Sequence, residues 1–117
     1  MLPGSGCLDC HSSAGGARVF ATAGTVYMAP HQDDNCFGRP ELIVRVTDAN
    51  GAVYEATTNE AGNFWLDPAT SPIAAPFHVS VLLNNVETPM RGEVTDGNCN
   101  ACHTRDGAEA APGRITP

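Results

Sequence analysis

Lysine is absent from this 117-residue chain; its six basic side chains are all arginine, set against 13 acidic ones. A net charge of −7 with no lysine excludes the electrostatic footprint of a nucleic-acid binder or of a protein drawn to anionic lipid. Long apolar runs are missing as well. None approaches the roughly 20 residues that cross a bilayer, so no membrane-spanning helix is expected. Aromatics are few, at 6%, with a single tryptophan. The opening residues Met1-Leu2-Pro3-Gly4 lack the basic and apolar regions of a secretory leader. An even cysteine count is lacking too, and five thiols do not close into a disulfide framework. What is present is an ordinary globular mixture, 42% apolar and 16% charged, at a length suited to one core. Twelve glycines and nine prolines point to short strands and many turns.

Four of the cysteines stand in two identical units, Cys7-Leu8-Asp9-Cys10-His11 and Cys99-Asn100-Ala101-Cys102-His103. Each reads C-x-x-C-H. That spacing suits covalent attachment of haem: two thiols add to the two vinyl groups, and the following histidine becomes the proximal ligand of the iron. The chain holds two further histidines, His31 and His78. Two haems with two axial histidines each use all four, so His31 and His78 are the expected distal ligands. Met28 and Met90 are alternative axial donors. Zinc held by four thiolates is a competing use, but zinc ribbons separate their pairs by about 15–20 residues. Here 88 residues lie between Cys10 and Cys99, and zinc has no need of the histidine after each pair. A thioredoxin-type pair requires a βαβ context, and none is visible. Disulfides within each pair leave the two motif histidines without a use.

The remaining cysteine, Cys36, reads either as a buried or inert thiol or as the partner in an intermolecular disulfide. Arg105 and Arg114, after the second motif, are either solvated or paired with haem propionates. The tail over 107–117 reads as extended coil.

Between the motifs the pattern is β. Strands are expected over 24–28, 41–47, 52–58, 62–66, 77–83 and 90–95, with no good helix anywhere. Leu42, Val44 and Val46 alternate with Arg45 and Thr47, and Asn50-Gly51 gives a hairpin signal before the returning strand. Alternation over 77–83 turns Phe77, Val79, Val81 and Leu83 inward and His78, Ser80 and Leu82 outward. Trp65, between inward Phe64 and Leu66, faces out, where it either packs on a porphyrin or sits as a partly buried surface aromatic. The fold class is therefore all-β: a small antiparallel Greek-key-like sandwich over 24–95, flanked by haem-binding coil segments over 1–23 and 96–117. The glycine- and serine-rich stretches 4–6 and 12–16 give the first segment no core of its own.

The run from Val44 through Asp48-Ala49-Asn50-Gly51 to Thr57-Thr58-Asn59-Glu60-Ala61-Gly62-Asn63-Phe64, with its T-[TD]-x-x-x-G-x-F segment, resembles the carboxypeptidase-regulatory-like, or transthyretin-like, β-sandwich. That resemblance implies a seven-stranded sandwich that binds or scaffolds and does no chemistry. The two flanking motifs resemble those of multihaem c-type cytochromes. The combination is similar to small dihaem cytochromes exported by metal-reducing bacteria and to subunits of extracellular cytochrome filaments. The implied cofactors are two haem c groups, and attachment of this kind places the protein outside the cytoplasm, extracellular or periplasmic.

With both axial positions of each iron filled, no open position is left for oxygen, peroxide or a substrate, so electron transfer is expected rather than an enzyme. One small sandwich is a poor cover for two porphyrins. Burial against further copies of the chain, head to tail, is therefore expected, with His31 or His78 donated across the contact and a filament as the outcome. Other redox proteins or extracellular acceptors are the expected partners. The alternatives are a soluble periplasmic shuttle and a dihaem peroxidase or sensor with one open iron. A third class, a binding module with incidental haems, lacks an aromatic platform beyond Trp65.

Overall fold

Eight short elements follow one another along the chain: α1 (Cys7–Cys10), β1 (Thr22–Thr25), β2 (Ile43–Thr47), β3 (Val53–Thr57), β4 (Asn63–Leu66), β5 (His78–Leu83), β6 (Val86–Pro89) and α2 (Cys99–Cys102). They come from a computed structural model that describes residues 2–12 and 18–117. Most of the serine- and glycine-rich stretch 12–16 lies outside the described residues, as does Met1. The all-β fold class holds. β3, β2, β5 and β6 form one antiparallel sheet in that order, and β1 with β4 forms a second.

Alternation builds the larger sheet. In β2, Val44 and Val46 are buried while Ile43, Arg45 and Thr47 between them are only partly so. Val44 and Val81 meet Val26, Leu42 and Phe64 in one cluster; Val46, Leu66 and Phe77 form a second. Both clusters join residues of the two sheets, which makes the architecture a sandwich. The loop after β2 is organised by Asp48, whose carboxylate accepts from the N–H groups of Asn50, Ala52 and Ala74. Gly51, at φ 80°, supplies the left-handed residue that the loop needs.

Six strands appear among the described residues, where the resemblance implies seven. The expected strand at 90–95 does not form; Val94 makes only an isolated bridge to Phe77. Its place beside β5 is taken by β6, because Asn84 and Asn85 both adopt left-handed conformations (φ 51° and 65°) and close a two-residue turn. Asparagine tolerates that region better than most residues. The first strand begins at Thr22 rather than at 24.

Two expectations of coil fail in an instructive way. Each C-x-x-C is one helical turn, closed by His11 N–H to Cys7 O (3.0 Å) and by His103 N–H to Cys99 O (2.9 Å). A helix this short has little stability in isolation, so packing on β1 holds it. The C-terminal tail is docked, not extended into solvent. Ile115 bridges Val26, Tyr27 N–H bonds to Ile115 O, and Arg114 is buried.

Candidate functional site

Every residue of β1 is buried, yet two of its four side chains are threonine. The reason is that β1 has no solvent edge. One edge pairs with β4; along the other runs the segment leading into α2, where Ala23 N–H bonds to Gly97 O at 3.0 Å. Thr22 Oγ donates to the same carbonyl at 2.9 Å and lies 3.4 Å from Cys99 Sγ. Gly24 permits this approach. A Cβ there would lie 2.9 Å from both the Cys99 Cβ and the Phe64 ring.

The first motif closes over the second. Asn98 accepts from Leu8 N–H at 3.4 Å and donates to the Asp9 carboxylate at 3.0 Å. Asn100 accepts from Thr25 N–H and donates towards Thr25 Oγ1 and Ser5 O, all within 3.0 Å, with Cys7 Sγ 3.6 Å away. Motifs 88 residues apart in the chain thus stand side by side on one strand. Cys7 also joins Phe20 and Ala23 in a small apolar cluster, so the N-terminal segment has a core after all.

The histidines divide three to one. His11 Nδ1 lies 2.8 Å from Arg18 O, His103 Nδ1 lies 2.9 Å from Gly113 O, and His31 Nδ1 lies 2.7 Å from Arg105 O. A carbonyl only accepts, so Nδ1 is the donor in each ring and Nε2 is the nitrogen left for a ligand, the division of roles found in metal-ligating imidazoles. No described residue bonds these Nε2 atoms. His31 and His103 are further tied to one stretch of tail: Gly113 accepts from His103, and a Cβ on it would lie 3.1 Å from the His31 ring. His78 differs. It sits at the start of β5 on the outer face of the larger sheet, as alternation predicts, and its Nε2 is 3.1 Å from Glu93. The motifs lie on β1, in the other sheet.

Beside His11 the rings of His11, Phe20 and Trp65 stack in sequence, with centroids 4.2 and 5.8 Å apart. They line an open groove of about 340 Å³ together with Arg18 and Asn59. Trp65 therefore faces away from the sandwich core, beside the first motif. Ser80, expected to be exposed, is covered: its hydroxyl donates to Glu87 at 2.6 Å, and Arg45 bridges Glu87 and Glu55 above it.

Burial pushes the Cys99 thiol up to about 11, and the Cys7 thiol moves in the same direction for the same cause. Among the described residues no three His, Cys, Asp or Glu side chains converge as a metal ion needs. Cys36 is exposed, not buried, which leaves an inert surface thiol or an intermolecular disulfide. Arg114 is buried rather than solvated, bonded to Gln32 O and Asn35 over the Tyr27 ring; Arg105 pairs with Asp33 and Asp106.

Sequence reasoning passed over Asn98, Asn100, Thr22 and Thr25, which no apolar period marks. The helical turns had a signal: thiols at i and i+3 with a histidine at i+4 share one helix face. No family model, no curated protein and no solved structure matches the chain.

Proposed function

We propose that the chain is a dihaem electron carrier, exported from the cell, in which Cys7, Cys10, Cys99 and Cys102 hold two haem c groups and His11 and His103 are the proximal ligands. The observation that carries this reading is the pairing of the two C-x-x-C-H turns on β1, each with its histidine set by a backbone carbonyl. The donor set fits haem: two thiols and a histidine on one helical turn suit addition to the two vinyl groups and ligation of the iron, and the groove of His11, Phe20 and Trp65 offers an apolar wall. Haem held this way supplies a one-electron couple. The chain's own part is to fix the rings, present Nε2 and keep the two motifs adjacent.

His31 is the distal ligand with the stronger support, because its Nε2 is presented like those of the proximal pair. His78 is the distal ligand given to a neighbouring copy: it is exposed, on the sheet away from the motifs, and frees its Nε2 by releasing Glu93. A contact of that kind repeats head to tail and grows a filament, which is the extracellular form we assign. With four ligands in place the protein passes electrons and transforms no substrate.

A second reading has its own observation. If His78 keeps Glu93, one iron has an open position and the protein is a monomeric shuttle, a peroxidase or a sensor. Electron microscopy of the haem-loaded protein, with its visible spectrum with and without carbon monoxide, separates the two. Filaments with low-spin haem and no carbon monoxide binding are expected; H78A then yields single subunits. Discrete particles whose reduced haem binds carbon monoxide overturn the filament assignment. A pyridine haemochrome assay that finds no haem overturns the reading altogether.

A further inference from the structure

Attachment of haem asks for two cysteines and a histidine and makes no demand on residue 98 or residue 100. Both are asparagine, both are buried, and both side chains spend their polar atoms on contacts to the first motif, to Ser5 just before it, or to β1. We propose that Asn98 and Asn100 are positioning residues that lock the two motif turns into one unit and thereby set the electronic coupling between the groups they carry. The proposal rests on the dihaem reading above.

The chemistry of the contacts explains the residue type. Across from Asn98 stand a donor, Leu8 N–H, and an acceptor, the Asp9 carboxylate. Across from Asn100 stand a donor, Thr25 N–H, and the acceptors Ser5 O and Thr25 Oγ1. Only a side chain with a carbonyl and an amino group on one fork answers both, and in each case the backbone N–H fixes which way the amide points. The contacts from these amides to the first motif and the residues before it span 89 to 95 positions of sequence. A buried network in which every member is satisfied is rigid, and rigidity of the pair is what a fixed coupling needs.

The test uses the full haem-loaded chain and reads the Soret circular dichroism, where two coupled haems give a signal of paired opposite lobes. Asn98→Asp sets two carboxylates against each other across the joint. The double variant Asp9→Asn with Asn98→Asp restores a donor–acceptor pair with the roles exchanged. We expect two haems per chain in all three proteins, loss of most of the paired signal in N98D, and its return in D9N/N98D. A loss caused by the new carboxylate elsewhere than at Asp9 would not be reversed by the second substitution. An undiminished signal in N98D, a loss that the double variant fails to restore, or no paired signal in the unaltered protein overturns the proposal while leaving the dihaem reading intact. A haem count of zero overturns both.

Discussion

The two sheets of this molecule are buried by different means. The larger one covers its inner face with Val44, Val46, Val79 and Val81, and its strands alternate as half-buried strands do. β1 is buried on every side, and what covers it is largely polar: Thr22, Thr25, Asn63, Asn98 and Asn100, all under a tenth exposed. Burial without hydrogen bonds would be costly there, and among the described residues no buried side-chain N or O lacks a partner. The apolar sheet tolerates approximate packing. The polar joint has to be satisfied atom by atom, and it is the part that carries both motifs.

That contrast breaks most visibly on the apolar side. Phe64 is almost fully buried between the sheets, and Phe64→Ala should cost about 3–5 kcal/mol in urea unfolding, from lost transfer energy and the cavity left behind. On the polar side the equivalent probe keeps the shape and removes the chemistry. Thr25 Oγ1 accepts from Gly4 N–H and from the Asn100 amide and donates to Asn63. Thr25→Val should cost roughly 1–3 kcal/mol although it adds apolar surface, because donors are left without their acceptor. Equal stability of T25V and the unaltered chain would mean that the joint is looser than its hydrogen bonds imply.

Gly24 lies where the two regimes meet, with Phe64 and Cys99 both against it. Gly24→Ala should destabilise by about 1–3 kcal/mol through overpacking. On the dihaem proposal it should also disturb the two motifs unequally: haem loading at Cys99 and Cys102 should fall before loading at Cys7 and Cys10. Mass spectrometry of haem-bearing peptides distinguishes them, and equal loss at both motifs would place the strain elsewhere.

How far the molecule was legible follows the same division. Strands whose apolar residues alternate, β2 and β5, stood out in the sequence, as did the outward setting of His78 and Trp65. β6 was missed because Val86–Pro89 is an exposed edge with no apolar face, and its marker was the Asn84-Asn85 turn. The motif residues stood out by type and spacing, but their meeting on β1 did not. It depends on Asn98 and Asn100, whose partners lie at the other end of the chain, and no local pattern encodes a contact at that separation. The docking of the tail escaped for the same reason: Ile115, Gly113 and Arg114 act through Val26, His103 and Tyr27.

Acid offers the mildest way to separate the two regimes, since the partners of the β1 amides, Gly97 O and Asn100 Oδ1, do not titrate and Asp48 does. Three backbone N–H groups, Ala74 first, hold the Asp48 carboxyl below its ordinary value; Ala69 N–H and then Arg18 do the same for Asp67. A carboxyl with a lowered folded-state value binds its proton less readily in the folded chain than in the unfolded one. Its contribution is therefore complete above the unfolded carboxylate range, near pH 4, and is lost as pH falls through the folded value. The melting temperature should decline on acidification below about pH 4, and Asp48→Asn should flatten that decline while lowering the plateau at neutral pH. Hydrogen exchange adds the spatial half of the test. Amides of Asn50, Ala52 and Ala74 should lose protection in mild acid while those of Ala23 and Thr25 keep theirs. Simultaneous loss at both places would mean that the polar joint leans on the hairpin of the larger sheet, and that the two regions unfold as one.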